Sequence, residues 1–150
     1  MPLTIATESP TSEDGRALIE GSEAAIRSVL SEDECFTFTA LELVQPHITF
    51  FVARNGRKAV GCVALCQYAT YAEVKRLFVT PAARGTGAAR ALMAHLEAAA
   101  KDANQSTIRL ETAKVLSAGV ALYTALGYTE RGPFGDYKDI SASHFLEKTL

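Results

Sequence analysis

The stretch VTPAARGTGAARALMAHL, residues 79–96, joins an apolar strand end to a helix through one arginine and two glycines. The first backbone N–H groups of a helix lack intrahelical partners and point along the positive end of its dipole. Glycine lets an anion approach the backbone closely, and Arg84 can add a bidentate charge partner. The pattern predicts a phosphate-binding site at residues 84–89, although glycine at a helix entry also occurs as plain turn chemistry.

Two familiar phosphate-binding loops fit this spacing poorly. A nucleotide P-loop requires Lys and then Ser or Thr after its last glycine, but Gly87 is followed by Ala88 and Ala89. The dinucleotide fingerprint needs a third small residue where Arg90 stands, and it normally follows the first strand of a βαβ unit. Neither loop accounts for the turn.

The elements that must position this turn are typical of a mixed α/β domain. LTIATE predicts a strand, and one helix, or two broken near Gly21, follows an N-cap at Thr11 or Ser12. Two apolar runs around Asn55-Gly56 predict a β-hairpin, because this pair readily adopts left-handed angles. Further strands are predicted at residues 72–81, 106–112, from 128, and at 143–150, and helices at about 85–102 and 116–127. This order implies helices covering a sheet.

The helix after the glycine turn carries one apolar stripe. Its residues recur at helical spacing and are Ala89, Leu92, Met93, Leu96 and Ala100. The following helix is expected to end at Gly127, which suits the left-handed conformation of a C-terminal cap.

Length and composition indicate one domain, residues 1–150, with an ordinary hydrophobic core. Fifteen Lys and Arg against 17 Asp and Glu give a net charge of −2, which offers no general attraction to nucleic acid or to anionic lipid. The longest apolar run, residues 59–66, is far too short for a bilayer span. Neither nucleic acid nor a membrane is therefore expected as a partner.

Three cysteines, an odd number, predict free thiols in a reducing compartment. Cys62 and Cys66 share a predicted strand and would lie about 13 Å apart, too far for a disulfide. The first ten residues lack the basic and apolar segments of a secretory signal, so a cytoplasmic location is expected. No His/Cys cluster has metal-ligand spacing, and no metal site is predicted.

The segment ARGTGAARAL resembles the acyl-CoA binding motif of the GNAT N-acetyltransferases, Arg/Gln-x-x-Gly-x-Gly/Ala, here Arg84-x-x-Gly87-x-Ala89. EVKRLFVTP, IRLET and ALYTALGY resemble the family's other elements in their usual order. The close of the chain, YTERGPFGDYKD and HFLEK, resembles a bacterial subgroup labelled indole-acetic-acid acetyltransferase-like. The resemblance implies an α/β fold of the α+β type, with a twisted, mostly antiparallel mixed sheet of about six to seven strands and about four helices.

In this family an amine attacks the thioester carbonyl of acetyl-CoA directly, and acetyl-CoA is therefore the implied co-substrate. The backbone of residues 84–89 would wrap the pyrophosphate, the Leu77 N–H would face the acetyl carbonyl, and the Val79 N–H would bind the pantetheine arm. The alternative is that both strand N–H groups are ordinary ladder donors. The implied cofactor-binding residues are Leu77, Phe78, Val79, Arg84, Gly85, Thr86, Gly87, Ala88 and Ala89.

Two side chains match catalytic positions of the family. Tyr123 matches the general acid, since a phenol is protonated at neutral pH and can pass its proton to a leaving thiolate; the alternative is an aromatic core residue. Glu73, six residues before Val79, matches the general base of the histone-modifying branch, or it pairs with Lys75 or Arg76 instead. One departure is Leu116, which stands where many members carry an asparagine that touches the CoA arm.

The acceptor cleft of the family is lined by the segment after the N-terminal helices and by the connection between the last two strands. The aromatic residues of these regions are candidate acceptor contacts, with hydrophobic packing as the alternative, and they are Phe36, Phe38, Tyr128, Phe134 and Tyr137.

The expected function is acetyl transfer to a primary amine of a small molecule. Acetylation of a protein N-terminus or lysine, and a CoA-binding sensor without turnover, remain the alternatives. A homodimer is compatible with the family, but no sequence feature marks an interface.

Overall fold

The computed structural model describes residues 2–31, 34 and 39–150, so Phe36 and Phe38 lie outside the described residues. The strands are β1 (Leu3–Thr7), β2 (Ile48–Asn55), β3 (Lys58–Gln67), β4 (Ala72–Val79), β5 (Thr107–Ala113), β6 (Thr129–Arg131) and β7 (Ser143–Thr149). The helices are α1 (Glu13–Arg27), α2 (Ala88–Asp102) and α3 (Ser117–Ala125).

All seven strands form one sheet in the order β1-β2-β3-β4-β5-β7-β6. Neighbouring strands are antiparallel except β4 and β5, which are parallel. This confirms the predicted mixed, mostly antiparallel sheet with helices covering it. The described residues form three α-helices rather than about four. No helix in the described ranges has the length and apolar character needed to cross a bilayer.

The N-terminal helix is continuous through Gly21, and the predicted break does not occur. A Cβ at Gly21 would lie 2.9 Å from the Phe78 ring, so the glycine lets α1 pack closely on β4 instead of ending the helix. Ser12 is the N-cap, and its side chain accepts a hydrogen bond from the Gly15 N–H. The hairpin is confirmed, but Asn55 pairs with Lys58, so Gly56 and Arg57 form the turn and Gly56 supplies the positive φ of 64°.

The core has one layer on each face of the sheet. On one face α2 buries most of the predicted apolar stripe, namely Leu92, Met93, Leu96 and Ala100. At the start of the stripe, Ala88 is buried instead of the predicted Ala89. On the other face, Leu18 and Ile19 of α1 pack on β2 and β3.

Two irregularities open the sheet at β4. The register with β3 shifts between Cys62 and Ala64, so that Arg76 and Leu77 lie opposite the single residue Val63. Arg76 has a φ of 59°, which makes this shift a β-bulge in β4. β4 and β5 pair only over Ala72–Val74 and Ile108–Leu110 in the register, and they diverge beyond that point. The divergence creates the cleft described next.

Candidate active site

A cleft of about 610 Å³ occupies the gap where β4 leaves β5. Its walls are residues 74–79 of β4, the end of β5 with the first two turns of α3, and the C-terminal half of α1. Arg84 and Ala89 reach it from the glycine turn, and Tyr137 reaches it from the connection between β6 and β7. The turn, the bulge and the predicted tyrosine therefore converge on one cavity.

The glycine turn adopts the conformation that its residues predict. After a short 3₁₀ turn at Pro81–Ala83, Gly85 and Gly87 have φ of 79° and 86°, and Gly87 is the N-cap of α2. Gly87 offers no side chain to accept the first helical N–H groups, and a Cβ at either glycine would meet nothing within 4 Å. The helix N-terminus is thus open to an approaching anion.

The side chains beside these glycines have separate roles. The Thr86 hydroxyl donates to the Ala83 carbonyl at 2.5 Å and so closes the turn itself. The Arg84 Nε donates to the Val79 carbonyl at 3.3 Å, which holds the exposed guanidinium beside the end of β4. A cation therefore stands next to the row of backbone donors.

Leu77, Phe78 and Val79 all line the cleft, directly after the bulge. A bulge turns local backbone groups out of the regular ladder, and the divergence from β5 leaves this stretch facing the cavity. The strand geometry on which the predicted roles of the Leu77 and Val79 N–H groups depend is present. The roles themselves stay predictions.

Tyr123 lies on α3 in the cleft wall and is 7% exposed. Its ring packs edge-on against Tyr128, with centroids 5.8 Å apart. Burial raises the pKa of Tyr123 well above its ordinary value, so the phenol keeps its proton at neutral pH. Within the part of the chain that the structure describes, its hydroxyl makes no hydrogen bond, which suits a group that donates to a bound ligand. Leu116 and Ser117 line the cleft just before it.

Glu73 lies beside the cleft and is 3% exposed. Its Oε2 accepts a hydrogen bond from the Tyr137 hydroxyl at 2.5 Å and lies 3.1 Å from Lys75 Nζ. Lys75 also donates to the Tyr137 oxygen. Lys75 and Tyr137 line the cleft, whereas Glu73 is not part of its wall. The alternative pairing with Lys75 is therefore present, and a role for Glu73 as base stays a prediction.

Two other described acceptor candidates, Tyr128 and Phe134, are not part of the cleft wall. Tyr128 is 2% exposed and its hydroxyl donates to Glu97 Oε2 at 2.9 Å. Phe134 is 5% exposed and packs edge-on against Tyr137 and Phe145. Of the described aromatic candidates, Tyr137 reaches the cavity directly.

Glu111 is a cleft residue that the sequence reasoning missed. Its Oε2 accepts a hydrogen bond from the Ser143 hydroxyl at 2.8 Å. Desolvation raises the pKa of Glu111 to about 7, against the opposing effects of the Ser143 hydrogen bond and of Lys75. The available signal was a carboxylate within the strand STIRLET, beside the strand that carries Glu73.

Comparisons with known proteins identify both a matching domain family and a relative that matches nearly the whole chain. The profile of the acetyltransferase (GNAT) domain matches residues 46–130. The IAA acetyltransferase of Azospirillum brasilense is 37% identical over 150 residues, 99% of this chain and 98% of the relative.

Solved structures agree with these matches. A Klebsiella pneumoniae structure assigned as an acyl-CoA N-acyltransferase gives a TM-score of 0.86 at 32% identity, covering 99% of this chain and 97% of that chain. The PaiA N-acetyltransferase of Thermoplasma acidophilum, in complex with coenzyme A, gives a TM-score of 0.79 at 21% identity and covers 100% of both chains. At 21% identity this second likeness concerns the fold alone.

Proposed function

The chain belongs to the GNAT acetyltransferase family, and we propose that it transfers an acetyl group from acetyl-CoA directly to a primary amine of a small molecule. The observation that carries the proposal is the convergence of three features on one cleft. These are the open N-terminus of α2, the bulge of β4 and the protonated phenol of Tyr123. Each supplies something that acyl transfer from a thioester to an amine needs.

The residues of the cleft fit acetyl-CoA. The turn at 84–89 offers backbone donors, an open approach at Gly85 and Gly87, and the Arg84 cation for a pyrophosphate. The coenzyme supplies an activated acetyl group when it is bound. Leu77 and Val79 line the same cleft as Tyr123, which supports roles for their N–H groups as oxyanion donor and pantetheine anchor.

The chemical step asks three things of this chain. The amine must lose a proton so that its lone pair can attack, and Glu111 in the cleft wall and Glu73 beside it are candidate acceptors of that proton. The carbonyl oxygen gains negative charge, which the Leu77 N–H would stabilise. The sulfur leaves with the electron pair of the C–S bond, and the Tyr123 hydroxyl would give it a proton.

A small acceptor is supported by the wall that Tyr137 forms. The connection between β6 and β7 lays Tyr137 against Lys75 and Glu73, and Phe134 and Phe145 pack behind it. An aromatic wall beside the diverging strands favours a metabolite over an extended peptide, which would need an open groove.

The test is release of free thiol from acetyl-CoA in the presence of tyramine, spermidine, lysine and a peptide with a free N-terminus, with products weighed by mass spectrometry. We expect turnover on at least one small amine. Turnover on the peptide alone would replace the metabolite with a protein acceptor. A thermal shift with CoA, but no turnover on any amine, would indicate a sensor and overturn the proposal.

Two further predictions concern the oligomeric state and the cellular location of the enzyme. A homodimer is testable by light scattering during size-exclusion chromatography. A cytoplasmic location is supported by Cys62 and Cys66, which are both buried free thiols. Fractionation of cells that express the protein would check that location.

A further inference from the structure

The thiol of Cys62 on β3 is hydrogen-bonded to the backbone of the β-bulge. Its Sγ donates to the carbonyl oxygen of Arg76 at 3.3 Å, within the core layer that α1 covers. In the register, Cys62 lies opposite Phe78, directly after the point where β4 places two residues opposite one. A side chain of the neighbouring strand therefore holds the irregular part of β4.

This thiol keeps its proton and remains a donor. Cys62 is 0% exposed, and desolvation raises its pKa to about 12, against the opposing effect of the Arg76 charge. The S–H group therefore persists at neutral pH. Removing it would leave the Arg76 carbonyl without this donor inside the protein, which is costly for a buried polar group.

The bond concerns the cleft because the Arg76 carbonyl and the Leu77 N–H belong to one peptide unit. A trans peptide is planar, and its C=O and N–H groups point in opposite directions. This unit is trans, since the described residues contain no cis peptide bond. With the carbonyl held by Cys62 on the β3 side, the Leu77 N–H points away from β3, toward the side on which β5 diverges from β4.

The side chain of Arg76 is held by a different element. Its guanidinium donates to the Ser22 hydroxyl and forms an ion pair with Glu23, both on α1, while its backbone has a φ of 59°. The carbonyl and the side chain of one residue are thus bound to β3 and α1 respectively. Rotation of the peptide unit after Arg76 would break the thiol hydrogen bond, so that bond opposes any change in the direction of the N–H.

We propose that Cys62 is a positioning residue of the acetyl transfer, which orients and polarises the Leu77 N–H as donor to the developing oxyanion. The inference rests on the proposed function, which gives that N–H its role at the acetyl carbonyl. Cys62 is not part of the cleft wall, so it acts through the peptide unit and not through contact with a ligand.

Two physical effects make such a bond useful in the transition state. A donor that is already aimed at the place where charge develops needs no reorganisation during the reaction. Hydrogen bonds in a chain also polarise one another, so a donor on the carbonyl oxygen makes the N–H of the same amide a stronger donor. The benefit grows as the acetyl oxygen gains charge, and it therefore belongs to kcat more than to coenzyme binding.

The experiment compares kcat and the Kd of acetyl-CoA in Cys62→Ala and Cys62→Ser, on an amine that the wild type acetylates. Cys62→Ala should lower kcat by about tenfold or more, but by less than the roughly 10²–10³-fold cost of losing an oxyanion donor outright, because the N–H remains. Its Kd should stay within about twofold of the wild-type value. Cys62→Ser retains a small side chain with a hydroxyl donor and should recover most of the lost rate.

Val52→Ala is the control for packing. Val52 lies opposite Cys62 on β2, is 1% exposed and belongs to the same buried cluster. Its truncation opens a cavity in that layer but keeps the donor to Arg76, so thermal stability should fall while kcat stays within about twofold of the wild type. The melting temperature of each variant checks that it is folded at the assay temperature.

Carbon-13 NMR of acetyl-CoA labelled at the acetyl carbonyl gives a readout without any acceptor. A donor on the carbonyl oxygen draws electron density from the carbonyl carbon, so binding to the wild type should move its resonance downfield. In Cys62→Ala the bound resonance should lie closer to that of free acetyl-CoA, whereas in Val52→Ala it should match the wild type.

Three outcomes would overturn the inference while the proposed function stands. The first is a kcat in Cys62→Ala equal to that in Val52→Ala, and the second is a bound carbonyl resonance that Cys62→Ala leaves unchanged. The third is a Cys62→Ser variant as slow as Cys62→Ala, since the hydroxyl also donates. A wild type that acetylates no amine would instead overturn the proposed function together with the inference.

Discussion

Arg76 of β4 and Glu23 of α1 form an ion pair, with Nη2 and Oε1 3.1 Å apart, that ties the β-bulge to the first helix. Arg76 also donates to the Ser22 hydroxyl and is 8% exposed. Its φ of 59° is costly for a residue with a side chain and persists only where surrounding contacts hold it. The ion pair therefore helps to maintain the opening of the cleft.

Glu23→Gln should destabilise the protein and impair catalysis together. The substitution leaves the buried guanidinium without this counter-charge, so we expect a loss of about 1–3 kcal/mol in the free energy of unfolding, measured with urea. Because the bulge precedes Leu77, kcat/KM should fall as well. Asp14→Asn, a substitution on the same helix as Glu23, is the matched control. It removes an exposed ion pair with Arg54 of β2 and should cost less than about 1 kcal/mol. Equal losses in both variants would contradict the special role of the Arg76 pair.

The sequence predicted those parts of the site that depend on local conformation. Gly85 and Gly87 have the positive φ that their residue type favours, and Gly56 turns the hairpin. The bulge was not predictable in the same way, because tertiary contacts hold Arg76 in its glycine-like conformation, among them hydrogen bonds to Ser22 and Glu23, which lie more than fifty positions away. Tertiary contacts, not local preference, decide that feature.

Glu111 illustrates the same limit for the chemistry. In the sequence it is one polar residue of a strand. Its significance depends on β5 diverging from β4 and on Ser143, which lies thirty-two positions further along the chain. The family motif marked Glu73 as a candidate base. The structure contains the contact that the alternative predicted, an ion pair between Glu73 and Lys75.

Gly87→Ala should weaken acetyl-CoA binding by more than its effect on stability. A φ of 86° costs an alanine about 1–2 kcal/mol, and the added methyl group would stand in the approach of the pyrophosphate. Gly56→Ala carries similar strain at the hairpin, with a φ of 64°, outside the cleft wall. Urea unfolding should show comparable losses, while calorimetry should show a tenfold or larger rise in the Kd of acetyl-CoA for Gly87→Ala alone. A similar Kd in both variants would remove the turn from the coenzyme site.

Tyr123→Phe should lower kcat and leave acetyl-CoA affinity nearly unchanged. The variant keeps the ring that packs on Tyr128 but lacks the proton for the departing thiolate. Loss of a general acid typically costs 10²–10⁴-fold in rate. Stopped-assay turnover and calorimetric Kd values measure the two effects separately. Leu122→Met, a conservative change in the same cleft wall, is the control. Wild-type turnover in Tyr123→Phe would exclude the phenol from the mechanism.

Tyr137→Phe should raise the KM of the amine and leave that of acetyl-CoA unaltered. The phenol joins Glu73 to Lys75 in the part of the cleft that we propose for the acceptor, so its removal should disturb that wall and not the glycine turn. The loss of about 1 kcal/mol expected for one hydrogen bond corresponds to a rise of about fivefold. Tyr71→Phe removes a phenol of the same aromatic cluster outside the cleft wall and serves as the control. Matching KM values in the two variants would place the acceptor elsewhere.

Glu111→Gln should make the protein more stable above neutral pH. Desolvation raises the folded-state pKa of Glu111 from its ordinary 4.5 to about 7, so the folded protein binds more protons than the unfolded chain between these values. Stability attributable to Glu111 is therefore full below pH 4.5 and is lost as the pH rises to about 7. Glutamine does not titrate, so the variant keeps its stability as the pH rises. At pH 8 its free energy of unfolding should exceed that of the wild type by about 1–3 kcal/mol.

Urea unfolding at several pH values between 4 and 8 measures this difference, and Glu147→Gln provides a control of opposite sign. The hydrogen bond from Arg109 holds the pKa of Glu147 below its ordinary value, so that carboxylate stabilises the folded state above pH 4.5 and ceases to do so as the pH falls through the lowered pKa. Glu147→Gln should therefore be less stable than the wild type at neutral pH, with a gap that narrows in acid. A Glu111→Gln variant whose stability tracks the wild type from pH 5 to 8 would mean that Glu111 titrates as an ordinary carboxyl group.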